Sequence, residues 1–318
     1  MRAMAIDTFG GAERLYLADL PRPVPHAGDV LIVIHCTSIN PVDWKIREGM
    51  LQKRFPHVFP LIPGWDAAGV VGALGKGVKE FKVGDRVYAY CRKPTVQWGT
   101  YAEFVAMSAD AVAPMPANLT FAEAAAIPLA GLTAWQSVLG TAQLARGRTI
   151  LVHAGAGGVG GMAVQFARHV GATVYTTASR RNHGYVASLG AHHAIDYLAE
   201  DFVSAVKRLC PGGVDVVFDT LGGDIQARSY DVIKPGGMLV SIAEPPDEAF
   251  AATRNVRANY VFVSPNGQQL REIARLIERG AVKAPHLEEM LLEQAAAAQE
   301  KSRAGHVAGK IVLRIRPE

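Results

Sequence analysis

Between an apolar run, Thr149 to Val152, and an amphipathic segment, Met162 to Val170, the chain carries His153-Ala154-Gly155-Ala156-Gly157-Gly158-Val159-Gly160-Gly161. No other stretch restricts the fold as strongly. A strand that ends in Gly-x-Gly-x-x-Gly and turns directly into a helix lets backbone N–H groups and the helix N-terminus approach a pyrophosphate without Cβ interference. Gly155, Gly157 and Gly160 hold the three glycine positions, with Gly158 and Val159 inside the loop. A lone loop of this kind is weak evidence, since glycines also make ordinary turns, so its surroundings decide.

The surroundings agree with it. From residue 149 to residue 263 the chain alternates strand-like and helical runs: Ile150 to Val152, Thr173 to Thr177, Ala194 to Tyr197, Val214 to Phe218, Gly237 to Ile242 and Tyr260 to Val263. Strands linked by helical segments predict a Rossmann fold, here a doubly wound six-stranded parallel sheet, assigned to residues 123–280. Apolar positions 164, 166, 167 and 170 have the spacing of a helix packed on that sheet, and Leu270, Ile273, Ala274 and Ile277 repeat it ahead of Gly280, a C-cap. Residues 1–122 instead hold short β-like runs between Gly, Pro and Asp turns (Val30 to Ile34, Ala68 to Gly72, Arg86 to Tyr90, Tyr101 to Val105), the pattern of a β-rich, partly barrel-like domain. Thr120 with Glu123 three residues on reads as a helix N-cap at the boundary. Leu287 to Ser302 reads as one helix and Lys310 to Ile315 as a last strand that needs an edge outside the completed sheet. Residues 281–318 are therefore expected to complete the first domain.

Composition narrows the function. With 49% hydrophobic and 19% charged residues over 318 positions, the chain has material for two ordinary cores and not for a disordered tail. A net charge of +4 without a basic run argues against nucleic acid as a partner. Three scattered cysteines, Cys36, Cys91 and Cys210, make neither a disulfide framework nor a cysteine-rich zinc lobe, and fit a reducing, cytoplasmic setting. Met1 to Asp7 begins like a strand with no signal-peptide core, and no apolar stretch is long enough to span a membrane.

The loop implies a dinucleotide, and the end of the second strand implies which one. An NAD site places Asp or Glu there, about twenty residues on, to accept hydrogen bonds from the adenosine ribose. This chain has Ser179, Arg180, Arg181 and Asn182 instead. A hydroxyl, two guanidinium groups and an amide suit a 2′-phosphate, so the expected cofactor is NADPH. Tyr197 reads either as a lid on the adenosine side or as a half-buried strand residue. His153 reads as a satisfied strand residue and not as a base.

The motifs Ser38-Ile-Asn-Pro-Val-Asp-Trp-Lys45, Pro63-Gly-Trp-Asp-Ala-Ala-Gly-Val-Val71, Val83-Gly-Asp-Arg-Val87, Ile127-Pro-Leu-Ala-Gly-Leu-Thr-Ala-Trp135, Leu189-Gly-Ala, Ile195-Asp-Tyr197 and Gly309-Lys-Ile-Val-Leu313 accompany the glycine loop. With them the chain resembles, nearly end to end, the zinc-independent, zeta-crystallin-like quinone oxidoreductases of the medium-chain dehydrogenase/reductase superfamily. The resemblance implies a GroES-like catalytic domain beside the Rossmann domain. Where the zinc alcohol dehydrogenases carry a Cys ligand and a His-Glu pair, this chain has Asn40 and Trp65-Asp66, so a zinc shell cannot be assembled from those positions. A quinone or enone accepts hydride at a delocalised carbon and needs no Lewis acid, which makes quinones and α,β-unsaturated carbonyls the implied substrates.

The resemblance also implies roles. Lys45 falls where zinc enzymes place a proton-relay histidine and is expected at the nicotinamide ribose, as the candidate catalytic cation. Thr133 is expected against the nicotinamide, and Leu221, Gly222, Ile242 and Ala243 along the cofactor's other face. Asn40 and Asp43 are expected to fix their loop, and Trp44, Trp65 and Trp98 are read as pocket walls or core. A homodimer paired through an exposed sheet edge is implied as well. Two other functions stay open: an enoyl-thioester reductase of the same fold, and a non-catalytic NADPH-binding protein, crystallin-like or RNA-binding.

Overall fold

Thr149–Val152 and its neighbours pair in parallel because their buried, largely β-branched residues can be covered on both faces. In the computed structural model, which describes residues 1–317, six strands form one sheet. Their order across it is His193–Ile195, Thr173–Thr177, Thr149–Val152, Val214–Asp219, Ile233–Ser241, Arg257–Tyr260, and every pairing is parallel. The order reverses at Thr149–Val152, so the glycine loop leaves the sheet at its switch point. Helix Gly158–His169 buries Met162, Val164, Phe166 and Ala167. A second layer joins Leu151, Val217 and Leu239 of the sheet to Phe202 and Val206 of helix Phe202–Leu209. At the opposite edge of the sheet Asp215 accepts hydrogen bonds from Arg148 Nη1 (2.6 Å) and Thr149 N (2.9 Å), with Lys234 Nζ at 2.5 Å, tying three strands' beginnings together.

The doubly wound sheet is thus as expected, with shifted ends. The third strand stops at Ile195, and the sixth is Arg257–Tyr260 instead of 260–263. This unit comprises Ala130–Val263 and Gly280–Lys283.

The other unit comprises Met1–Leu129, Ser264–Arg279 and residues from 284 on. Its main sheet runs Leu287–Leu291, Lys310–Arg314, Asp29–Ser38, Asp66–Leu74, Arg86–Tyr90, Val112–Pro114, with Phe104–Ser108 also paired to Asp29–Ser38. All pairings but the first are antiparallel. Lys310–Arg314 does return to this unit, lying against Cys36, Thr37 and Ser38. Thr120 does cap helix Phe121–Ala125: Glu123 N donates to its Oγ1 at 3.2 Å and Glu123 Oε2 accepts from Thr120 N at 2.9 Å.

Two sequence expectations change. Residues 287–302 are not one helix: Leu287–Leu291 is a strand paired with Lys310–Arg314, and the helix is Ala295–Ala304. Residues 123–129 and helix Gly267–Glu278, assigned by sequence to the dinucleotide domain, group with the first unit, while residues 281–283, assigned to the first domain, group with the second; of these, the helix is the largest change. Its apolar face is buried there, Tyr88 Oη donates to the Leu270 carbonyl at 2.6 Å, and a Cβ on Gly267 would lie 2.4 Å from the Val112 carbonyl oxygen.

Candidate functional site

In the second unit the loop after Thr149–Val152 is built for close backbone approach. A Cβ on Gly155 would sit 1.9 Å from Thr176 Oγ1, and one on Gly160 2.3 Å from the Ala154 carbonyl oxygen. These two glycines are demanded by the protein itself. Gly157 is not: a Cβ there would meet nothing nearer than the Ala154 carbonyl oxygen at 3.4 Å. Its bareness suits a ligand drawn up to the backbone. Gly157 is also the N-cap of the 12-residue helix Gly158–His169, with no side chain capping it, so its first N–H groups and dipole are available to an anion.

The second-unit residues that follow the second to fifth strands in chain order lie at the same carboxyl edge. Ser179 is 8% exposed and begins the short turn Arg180–Asn182 just after Thr173–Thr177. Asn182 Nδ2 donates to Ser179 Oγ at 3.2 Å, and Arg180 and Arg181 are exposed. Tyr197 follows the third strand at 45% exposure, which removes the reading as a half-buried strand residue. Leu221, 53% exposed, follows Val214–Asp219, and half-buried Ile242 and Ala243 follow Ile233–Ser241. Thr133 is buried on helix Pro128–Ala134.

A residue the sequence did not single out orders part of this edge. Asp219 is fully buried; its Oδ1 accepts from Leu221 N (2.9 Å) and Gly222 N (3.0 Å), its Oδ2 from Gln226 Nε2 (3.1 Å) and Ser241 Oγ (2.8 Å). One carboxylate thus shapes the turn at Leu221–Gly222 and ties it to the next strand. His153 is satisfied, with Nε2 2.9 Å from Ser229 Oγ and Nδ1 3.3 Å from Thr177 Oγ1. Burial pushes its imidazole down to about 4, against the pull of Asp219, so it is neutral near pH 7.

In the first unit Lys45 lies on helix Pro41–Arg47, half-buried, its Nζ 5.6 Å from the centre of the Trp44 ring. The helix is fastened at both ends. At its start Asp43 Oδ2 accepts from Asn40 N and from Tyr101 Oη, both at 2.8 Å, as local fixing of the loop requires. Burial raises the Asp43 carboxyl to about 7, although these two bonds lower it. At its end Arg47, wholly buried, donates to Gln299 Oε1 (2.9 Å), Glu48 Oε1 (2.9 Å) and Glu300 Oε1 (2.8 Å).

Asn40 belongs to a second buried network. Asp66 Oδ2 accepts from Ser38 Oγ and Asn40 Nδ2, each at 2.7 Å, and Oδ1 from Leu129 N at 2.7 Å. Lys310 Nζ donates to Asn40 Oδ1 (2.5 Å) and the Ile39 carbonyl (2.7 Å), 3.7 Å from Asp66. Trp65 is core, edge-on to Phe55 and Tyr90, while Trp44 and Trp98 are half-buried. Asn40, Trp65 and Asp66 are therefore committed to packing and to an ammonium, and among the described residues no three His, Cys, Asp or Glu side chains converge as a metal set. Cys91 is buried, with its thiol pushed up to about 12, which excludes a thiolate nucleophile there.

A doubly wound sheet with a glycine-rich phosphate cradle, in one chain with an antiparallel β unit, defines the two-domain oxidoreductases that use a nicotinamide cofactor. The comparisons agree. Residues 26–117 match the alcohol dehydrogenase GroES-like domain and residues 189–313 the zinc-binding dehydrogenase domain. A chloroplast envelope quinone oxidoreductase homolog of Arabidopsis thaliana is 34% identical over 98% of this chain and 98% of its own. An NADPH-dependent alkenal/one oxidoreductase of the same plant is 37% identical over 89% of this chain and 71% of its own. The solved quinone oxidoreductase of Coxiella burnetii superposes with a TM-score of 0.89 at 35% identity, covering 99% of both chains. The chain belongs to the quinone oxidoreductase family of the medium-chain dehydrogenase/reductase superfamily.

Proposed function

We propose that the protein is an NADPH-dependent reductase that delivers hydride to quinones or α,β-unsaturated carbonyls without zinc. The observation that carries the cofactor assignment is the turn after the second strand: buried Ser179, bonded to Asn182, beside exposed Arg180 and Arg181, and no carboxylate in the turn. Such a set attracts a 2′-phosphate and offers a ribose diol no acidic acceptor. Gly155, Gly157, Gly158, Val159 and Gly160 would hold the pyrophosphate, with Tyr197 over the adenosine and Thr133, Leu221 and Ile242 about the nicotinamide. The names of the two plant relatives supply the acceptor class, a quinone or an enone.

When bound, the nicotinamide supplies the hydride. The chain's own part is to place it and to steady charge on the acceptor oxygen. Lys45 is assigned to the nicotinamide ribose and, as a cation, to that developing oxyanion. The occupied roles of Asn40, Trp65 and Asp66 support a reaction without metal. Metal analysis after dialysis against a chelator checks this; a retained equivalent of zinc whose removal abolishes turnover contradicts it.

Steady-state oxidation of NADPH with 9,10-phenanthrenequinone, a 2-alkenal and crotonyl-CoA tests the function. Turnover with the first two is expected; turnover with crotonyl-CoA alone points to a thioester substrate, and binding of NADPH without any turnover to a non-catalytic role. Arg180→Ala with Arg181→Ala is expected to raise KM for NADPH by about tenfold or more and to leave KM for NADH nearly unchanged. Equal KM for NADPH before and after would remove the 2′-phosphate site. A homodimer is also proposed, since Arg257–Tyr260 ends its sheet with one strand neighbour among the described residues; light scattering on the eluting protein tests it.

A further inference from the structure

The first unit holds an open cavity of about 540 Å³, none of whose lining residues is given a part in the reaction proposed above. Its size is that of a small-molecule site. Three cationic side chains, Arg22, Arg92 and Lys93, line it against one carboxylate, Asp29. That carboxylate is engaged, accepting from His26 N at 3.2 Å. Arg92 is engaged as well: its guanidinium donates to Ser264 Oγ at 3.4 Å and lies over the Phe55 ring at 5.6 Å. It contributes charge to the cavity.

The other two cations are poised differently. Lys93 is half-buried, and burial pushes its ammonium below the ordinary value, while the Asp29 carboxylate pulls it up only through space. It makes no hydrogen bond or ion pair among the described residues. Its ammonium is only partly hydrated, and an anion beside it would offset the hydration it has lost. Arg22 lies 4.3 Å from the centre of the Phe104 ring and likewise makes no ion pair among the described residues. Stacking fixes its plane while its N–H groups remain to be used. His26 and Ser108 add two polar groups to the lining, and the rest of it is apolar, with Trp98, Met107 and the stiff rings of Pro21, Pro23 and Pro94 foremost. Such walls lose little freedom when they close on a ligand.

We propose that this cavity binds a small organic anion, its acidic group held by Lys93 and Arg22 and its apolar body laid against Trp98 and Met107. None of its lining residues belongs to the glycine loop or to the turn Arg180–Asn182, and the proposal does not depend on the function proposed above. The shared chemistry is an anionic headgroup on a flat apolar frame, and the headgroup is either a carboxylate or a phosphate.

Calorimetric titration of the full chain with 2-naphthoate, 2-naphthyl phosphate and uncharged 2-naphthamide tests it. At least one of the acids is expected to bind with one-to-one stoichiometry, about tenfold or more tighter than the amide, and the tighter acid identifies the headgroup. Lys93→Met and Arg22→Met are each expected to weaken that acid by about tenfold or more, while Lys79→Met, at an exposed lysine outside the cavity, leaves it unchanged. Equal affinity for acid and amide overturns the proposal, as does binding that survives both substitutions or no acid binding up to about 10 mM. Should a variant not fold, wild-type protein is labelled with an amine reagent and the peptides weighed. The acid should then slow labelling of Lys93 and not of Lys79; equal rates with and without it overturn the proposal.

Discussion

At the residue scale, the cradle holds one non-glycine residue in the left-handed region: Ala154, at φ +52°. An L-residue there costs roughly 1–2 kcal/mol. The conformation is retained because it points the Ala154 carbonyl at Gly157 N, 3.0 Å away, while Ala154 N donates to Thr177 Oγ1 at 3.0 Å. Ala154→Gly should therefore stabilise the folded protein by about 0.5–1 kcal/mol, the relief being reduced by the freer unfolded chain. A urea midpoint that falls instead would show that Ala154 is unstrained. Asp219 makes the opposite case. Asn would put an amide where one oxygen now accepts two donors, leaving buried N–H groups facing each other. Asp219→Asn should cost about 1–3 kcal/mol in urea denaturation and raise KM for NADPH more than it lowers kcat, because it loosens the Leu221–Gly222 turn. An unchanged KM would separate Asp219 from the cofactor.

At the scale of elements, helix Pro41–Arg47 is fastened by a carboxyl that prefers its proton. Asp43 moves from an ordinary 3.8 to about 7 on burial, so between those values the folded state binds a proton more tightly than the unfolded chain. Its contribution is complete below the lower value and is lost as pH rises through the upper one. Urea midpoints of the wild type should fall between about pH 5 and pH 8, by an amount on the order of 2 kcal/mol, and Asp43→Asn should flatten that fall. Parallel profiles for the two proteins would place the titration elsewhere. Elements were readable from sequence where local pattern and burial coincide: the glycine loop, the capped start at Thr120, the buried run Val214–Asp219. Leu287–Leu291 was misread because Leu287, Met290, Leu291 and Ala295 also fit a helical stripe, and only the partner strand at Lys310–Arg314 selects the extended form. Lys310 carried no signal for the same reason. Its acceptors, Ile39 and Asn40, lie 271 and 270 residues away along the chain.

At the scale of the molecule, the connectivity sets what can fold alone. Residues 130–263 of the dinucleotide unit form one continuous stretch, completed by Gly280–Lys283, whereas the first unit is assembled from three separated segments. Removing residues 306–318 should strip amide-exchange protection from the Cys36–Ser38 end of Asp29–Ser38, which alone pairs with Lys310–Arg314, and spare Thr149–Val152 and Val214–Asp219. Equal loss in both units would show that neither stands without the other. The late position of Lys310–Arg314 has a consequence for synthesis. A ribosome releases the whole parallel sheet well before it makes the strand that closes the antiparallel one. For that interval the Cys36–Ser38 end of Asp29–Ser38 lacks its outer strand, and the Asp66 carboxylate, already bonded to Ser38, Asn40 and Leu129, lacks the Lys310 ammonium, so the nascent chain is most exposed to capture by chaperones in its earliest-made part.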